Sequence, residues 1–435
     1  SSVVAILAFD RRPNDSWNAG TRPAEERGRV TPDGGWGTWE IPLASRSQSA
    51  YTTAPVSEPS TMYRSRAWVE VHLDRLRDNA REVQNSVGRA SGILPMVKAN
   101  AYGLGLEVVT RALLPVDPWG FGVATVSEAV ALRNGGWTGP ALVFSPGTPD
   151  DLARAAAADL TLCLSSVDMV ERWAAMAAST GQKLRFHIEI DTGMGRAGLP
   201  AEEAGEWGAA VQHAAAGKLV WEGCFTHFHS ADEPDPAPTD LQWSRFNDAL
   251  AALPAVAPGE PERLIHVANS AACMRRGGFH CDLVRPGIFL YGGYVGGAVE
   301  PFPVAEVHAR LVHVREVQAG ATAGYGATYT AQNGQRWGTL AIGYGDGLPR
   351  ALGAAGGAAL VRGHVAPIIG RISMDMTTID LTDVPNANVG DIATLIGRDG
   401  DAEILLDEVA RQAGTISYEI LTGLSPRLPR IYRDD

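Results

Sequence analysis

Cysteine is scarce in this chain: four among 435 residues, Cys163, Cys224, Cys273 and Cys281. None form a Cys-x-x-Cys pair, so neither a zinc-ligand spacing nor a dense disulfide framework is present, and no metal site is expected. Three of them lie in apolar segments, which is the pattern of buried reduced thiols in a cytoplasmic protein. Long hydrophobic runs are missing too. No stretch approaches the ~20 apolar residues of a transmembrane helix, so no membrane span is expected. The opening SSVVAILAFDRR is apolar but short, with no basic start and no small-residue cleavage site, and no signal peptide is expected from it. Positive charge is not in excess either. A formal net charge of -12 argues against a nucleic-acid or anionic-membrane surface, although it leaves room for a local cationic pocket that takes a small phosphate.

What is present is ordinary globular material: 45% apolar and 20% charged residues, in a length that suits two domains. Residues 1–64 are rich in Pro, Gly, Ser and mixed charge without a sustained period, and are expected to form a flexible extension, with Trp17, Trp36 and Trp39 the residues there most suited to packing. From about 66, short apolar runs alternate with Ala- and Leu-rich helical stretches. The expected strands are 93–97, 119–124, 141–145, 160–164, 184–190, 221–228, 263–268 and 283–291. Eight strands alternating with helices predict a (β/α)8 barrel, placed at 65–304. After about 305 strand-like runs separated by Gly, Asp and Pro dominate, and only DEVARQAG reads as a helix. A mainly β domain is therefore expected over 305–435.

A barrel enzyme builds its site at the C-terminal ends of its strands. Lys98 falls there after the first strand, in VKANAYGLG. Arg196 follows the fifth, in DTGMGRAG, and His227 the sixth, in THFHSADE. His266, Asn269 and Ser270 come with the seventh, in HVANSAA, and Arg285, Gly287 and Ile288 with the eighth, in VRPGIFLYG. A lysine after an apolar run is usually a solvated strand end. Held at a barrel mouth, however, it can lose its proton through desolvation and form a Schiff base with an aldehyde. Ser270 reads equally well as a helix cap and as part of a phosphate site. Arg285 in an apolar strand needs buried partners, since it cannot give up its proton, and pairing with a structural acid is the plain alternative.

These motifs, with GYGATYTAQ, IGYGDG, GRISMD and GLSPRLPR, resemble segments of the alanine racemase family in the same order, from about residue 66 to 432. The resemblance implies a barrel that binds pyridoxal phosphate, a C-terminal β domain and a head-to-tail homodimer with shared active sites. It implies interconversion of L- and D-alanine, supplying D-alanine for peptidoglycan. Lys98 would carry the cofactor as a Schiff base. Tyr102, Ser270, Gly287, Ile288 and Tyr418 would hold its phosphate. Arg285 would face the pyridine nitrogen, with His227 and His266 in its network. Arg196 and the backbone N–H of Met374 would bind the substrate carboxylate. Tyr325, supplied by the other subunit, would be the second acid/base, its acidity raised by His227 and Arg285. Tyr344 would line the approach to the site, near Arg350, Arg371 and Asp232. An arginine at the pyridine nitrogen leaves that atom unprotonated, which weakens the electron sink and disfavours transamination.

The chain departs from the family pattern at one place. Many members carry, two residues before the Asp of DTGMGR, a lysine that is carbamylated and presents an anion to the carboxylate-binding arginine. Here that position is Glu189, and direct pairing with Arg196 is expected. Three rival readings share parts of this layout. A decarboxylase of basic amino acids would place an acid where Arg285 stands. A broad-specificity racemase would tend to be exported. A non-catalytic barrel that handles the cofactor would lack the β domain with Tyr325.

Overall fold

The structure, a computed structural model, describes residues 65–434. The expectation of a flexible extension, and the tryptophans at 17, 36 and 39, fall outside the described residues. Among those described, no helix is long and apolar enough to cross a membrane.

Eight parallel segments follow one another around a ring: Gly92–Ile93, Phe121–Val123, Ala141–Val143, Thr161–Leu164, Leu184–Asp191, Leu219–Phe225, Leu264–His266 and Leu283–Val284. The central six pair in sequence order and the last pairs with the first. Isolated backbone bonds, more than one at each, close the two seams. Asp282 N–H donates to Ile265 O, Arg285 N–H to Ala268 O, and Gly122 N–H to Pro95 O. The strands are buried on both faces, as parallel strands under a helical ring must be, which is why they read as short continuous apolar runs. The helices between them are punctuated by ordinary local chemistry. Thr125 and Glu128 form a capping box at Val126–Asn134, and Ser166 caps Val167–Thr180, which stops at left-handed Gly181.

The second layer system is a mixed sheet built around the long strand Ala305–Val317, with His364–Pro367, Ala358–Val361 and Ile392–Asp399 on one side. On its other side lies Ala67–His72, antiparallel to Ala305–Val317 and parallel to Arg430–Arg433. This first strand thus belongs to the β sheet, although its sequence position placed it with the barrel. The strand pattern alone carries no partner information, because partners come from pairing at long range.

Two further differences bear on the site. The strand expected across 283–291 stops at Val284: Pro286 offers no N–H, and Gly287 turns the chain into a 3-10 helix over Ile288–Tyr291. The second domain also holds a second helix, Ser417–Gly423, besides the expected Leu406–Ala413.

Candidate active site

At the C-terminal mouth of the barrel a cavity of about 120 Å³ is lined by Lys98, Tyr102, Glu189, Arg196, His227, Asn269, Ser270, Arg285, Gly287 and Tyr418, all picked out in the sequence, together with Met96, Phe144 and Phe225. A larger cavity of about 260 Å³, lined by Trp221 and Arg263, lies at the opposite ends of the strands and gathers no comparable cluster.

Lys98 stands at the end of the first barrel strand. The next four residues, Ala99, Asn100, Ala101 and Tyr102, all have φ between +52° and +56°, a left-handed helical turn. For L-residues this costs roughly 1–2 kcal/mol each, so it persists only where surrounding contacts enforce it. Here Ala99 N–H donates to Glu128 Oε1 at 2.6 Å and Leu106 N–H to Asn100 Oδ1 at 2.8 Å. The turn keeps Lys98 at the mouth and brings Tyr102 back beside Gly287. Lys98 is reached by solvent through the mouth, but the surrounding protein withdraws water from its ammonium. Burial, then Arg196, then Arg285 lower its affinity for the proton, against Glu128.

Arg285 is fully buried beneath this lysine. Its terminal nitrogens donate to Thr226 O at 2.8 Å, Val267 O at 3.1 Å and His266 O at 2.6 Å, and meet His266 Nδ1 at 2.9 Å and His227 Nδ1 at 3.4 Å. Among the described residues no acceptor meets its Nε–H. That leaves one guanidinium donor available to the cavity, the requirement for a cationic group facing an unprotonated ring nitrogen.

At the other end, Ser270 Oγ accepts from Gly287 N–H at 2.7 Å. A Cβ at position 287 would come within 2.3 Å of the Tyr102 hydroxyl, so only glycine fits. The Tyr102 ring stacks on Tyr291 at 4.4 Å and lies 6.0 Å from that of Tyr418, which the Ser417–Gly423 helix delivers to the barrel mouth. Burial, and then Asp232, push the Tyr418 hydroxyl up to about 12, and burial also raises Tyr102, so both stay protonated donors at neutral pH. Hydroxyl donors at one end, a cationic N–H at the other and an amine between them fit a phosphorylated pyridine aldehyde.

Arg196 reaches the same cavity, half-exposed, with its Nη2 3.9 Å from Glu189 Oε1. Burial raises the Glu189 carboxyl, while Arg196 and Arg285 oppose that rise. The predicted Ile288 is buried and does not line the cavity, while three other sequence candidates lie outside it at the surface: Tyr325 is 66% exposed, Met374 52% and Tyr344 40%. All three belong to the β domain, where Arg371 Nη1 donates to Tyr325 O and Tyr344 N–H to Ser373 O. One chain therefore presents a barrel mouth and, separately, an exposed surface bearing the tyrosines.

Two polar residues of this centre were not picked out in the sequence. His187 Nδ1 lies 2.8 Å from His266 Nε2, and His187 Nε2 lies 3.3 Å from Glu222 Oε2. The available signal was a histidine amid the apolar run LRFHIEI, which has the same form as an inert core residue.

The histidines make stability depend on pH. Burial, then Arg285, hold His227 near 3 and His266 well below its ordinary range. With folded values depressed, the unfolded chain binds more protons as pH drops below 6.5. Stability should then fall by up to ~1.4 kcal/mol per pH unit for each ring. Glu189, raised by burial, acts in the opposite sense near its ordinary value. Urea midpoints measured from pH 7 down to 5 should decline, and His227→Asn should flatten the decline; a level wild-type profile contradicts this account.

Comparison with known proteins agrees with the geometry. Residues 71–295 match the alanine racemase N-terminal domain family and residues 304–432 the alanine racemase C-terminal domain family. An alanine racemase of Geobacillus kaustophilus is 39% identical over 374 residues, 84% of this chain and 94% of the relative. One of Desulforamulus reducens is 37% identical over 370 residues, 84% of this chain and 98% of the relative. Among solved structures, the alanine racemase of Streptomyces coelicolor superposes with TM-score 0.79 at 32% identity, covering 86% of this chain and all of that one. The Bartonella henselae enzyme, described with covalently bound pyridoxal phosphate, gives 0.76 at 28% identity, covering 85% of this chain and all of that one. Likeness that runs through both domains and nearly the whole length of these relatives leaves one assignment: the chain belongs to the alanine racemase family of pyridoxal-phosphate-dependent racemases.

Proposed function

We propose that this protein interconverts L- and D-alanine by a two-base mechanism, as a cytoplasmic homodimer that supplies D-alanine for peptidoglycan. The observation that carries the reading is Arg285 beside Lys98 in one cavity, with no carboxylate in ion-pair contact with that arginine among the described residues. Pyridoxal phosphate, when bound, supplies an aldehyde for Lys98 and an electron-withdrawing ring for the substrate's α-carbon.

This chain's residues do the rest. Tyr102, Ser270 and Tyr418, with the backbone at Gly287 and Ile288, would hold the phosphate. Arg285, with His227 beside it, would donate to the ring nitrogen and so leave that atom without a proton. Arg196 takes the substrate carboxylate, with the Met374 N–H as a second donor. Lys98 removes or returns a proton on one face of the α-carbon, and Tyr325 serves the other, so each reprotonates what its opposite removes. Since Tyr325 and Met374 stand outside the cavity of their own chain, a second copy supplies them, and Tyr344 lines the approach. Four thiols, three of them buried, suit a reducing compartment.

The test is direct. Protein supplied with pyridoxal phosphate and L-alanine is expected to yield D-alanine until the two enantiomers are equal. Carbon dioxide release, or no reaction, overturns the proposal.

Glu189 gives a second test. Its fixed carboxylate replaces the anion that a carbamylated lysine presents elsewhere in the family. Glu189→Lys is therefore expected to need dissolved carbon dioxide. In carbon-dioxide-free buffer its turnover should fall about 10-fold, the low end of one charge-assisted hydrogen bond, and recover with bicarbonate. Wild-type protein should be indifferent, and bicarbonate dependence of the wild type counts against this role.

A further inference from the structure

Arg285 carries a permanent charge in a fully buried place, and no acid pairs with it directly among the described residues. Such a charge needs compensation. Glu189 provides part of it through space, since its negative charge helps Arg285 keep its proton, and the hydrogen-bond chain behind the arginine leads to a second carboxylate. An arginine can only donate, so His266 Nδ1 must offer its lone pair to Arg285 Nη1, 2.9 Å away. His266 then carries its proton on Nε2, and that N–H points at His187 Nδ1, 2.8 Å away. His187 Nδ1 must in turn present a lone pair, so its own proton sits on Nε2, directed at Glu222 Oε2 at 3.3 Å. Donors and acceptors alternate without conflict only in this one arrangement. It runs from the arginine through two neutral rings to a carboxylate near the barrel wall.

The backbone is shaped to make this chain. Between Leu184–Asp191 and Leu219–Phe225 the register shifts: Phe186 faces Trp221, but His187 faces Gly223. Glu222 is thus the extra residue of a β-bulge, a device that re-aims a side chain. Its carboxylate also sits 3.4 Å from Thr161 Oγ1 and 4.0 Å from Arg185 Nε. Opposite His187, any side chain on residue 223 would collide with the ring, since a Cβ there would lie 2.5 Å from His187 Nδ1. The Phe225 ring lies parallel to His266 at 4.9 Å and holds that ring's plane.

We propose that Glu222 and His187 are positioning residues for the ring-nitrogen contact: through His266 they fix both imidazole tautomers and hold Arg285 with its Nε–H turned into the cofactor cavity. The inference rests on the proposed role of Arg285 toward pyridoxal phosphate, but its first test does not need the cofactor.

In protein labelled with 15N-histidine and kept free of cofactor, long-range 1H–15N correlations report which ring nitrogen is protonated. The two rings are assigned by signal loss in His187→Asn and His266→Asn. Both are expected to be neutral with the proton on Nε2. A proton on Nδ1 of either ring, or on both nitrogens of His187, overturns the proposal. The second test uses the holoenzyme. Glu222→Leu is expected to lower kcat about 10-fold with little change in KM for alanine, the scale at which partners behind a site residue act. It should also shift the visible absorbance of the bound cofactor and raise the share of transamination. Glu222→Gln keeps an acceptor oxygen and should restore most of each. Equal kcat, absorbance and partitioning in the Leu variant and wild type overturn the idea. Should the Leu variant fail to fold, the wild-type tautomers still decide. A wild type that never takes up pyridoxal phosphate refutes the function proposed above while leaving the tautomer result to stand or fall by itself.

Discussion

Replacing Lys98 by alanine is expected to abolish the visible absorbance of the purified protein and to lower racemisation by about 10⁴-fold or more, the upper end for loss of one positioned acid–base group. Two properties of the site set that size. The amine does two jobs, holding the aldehyde and moving a proton, so no neighbour can replace it piecemeal. It is also prepared for both, because burial, Arg196 and Arg285 lower its affinity for a proton while Glu128 only partly opposes them. A lysine with more of its amine unprotonated at neutral pH condenses faster with an aldehyde. Borohydride reduction of wild-type holoprotein should leave the label on the peptide containing Lys98. Label elsewhere, or colour that survives in Lys98→Ala, refutes the assignment. The fold should tolerate the change, since the turn after Lys98 is held by backbone and side-chain bonds of Ala99, Asn100 and Gly103 rather than by the lysine.

The sequence marked Lys98 through VKANAYGLG and its family resemblance, a lysine after an apolar run being by itself usually a solvated strand end. It gave no hint of the turn that presents it. Ala-rich KANAY reads as right-handed helix by propensity, yet four successive residues there are left-handed, because Glu128 and the Asn100 side chain capture the amides. The barrel was legible for a similar reason: parallel strands buried on both faces leave continuous apolar runs, and the helices between them carry their own caps. What was not legible depends on pairing. Glu222 and His187 come together only through a register shift between two strands, and nothing in either strand's alternation marks a bulge. Ala67–His72 looks like any other strand until its partners, 305–309 and 430–433, are known. Pro286 and Gly287 break the strand expected from 283 to 291, a local effect that the apolar residues around them conceal.

Mixing two inactive variants should restore activity. Tyr325→Phe removes the hydroxyl of the second base and is expected to cost roughly 10²–10⁴-fold alone. Lys98→Ala removes the first base and the cofactor anchor. If each site is built from the barrel of one copy and the β domain of another, a mixed dimer holds one site with both defects and one with neither. Random reassortment makes half the dimers mixed, each with one working site of two, so activity should rise to about a quarter of wild type. The arrangement in one chain demands such a test. Tyr325 is 66% exposed and lies outside the cavity that Lys98, Arg285 and Arg196 share, so within a single copy it has no substrate to act on. Were Tyr325 to serve its own chain's lysine after a movement of the β domain, both sites of every mixed dimer would carry a defect and mixing would restore nothing. The β domain is not free to make that movement cheaply. Ala67–His72, at the start of the barrel segment, is bonded on both sides into the β sheet, and Arg430 Nε donates to Gly103 O in the turn that holds Lys98. Those ties hold the β domain against its own barrel, where Tyr418 lines the cavity and Tyr325 does not.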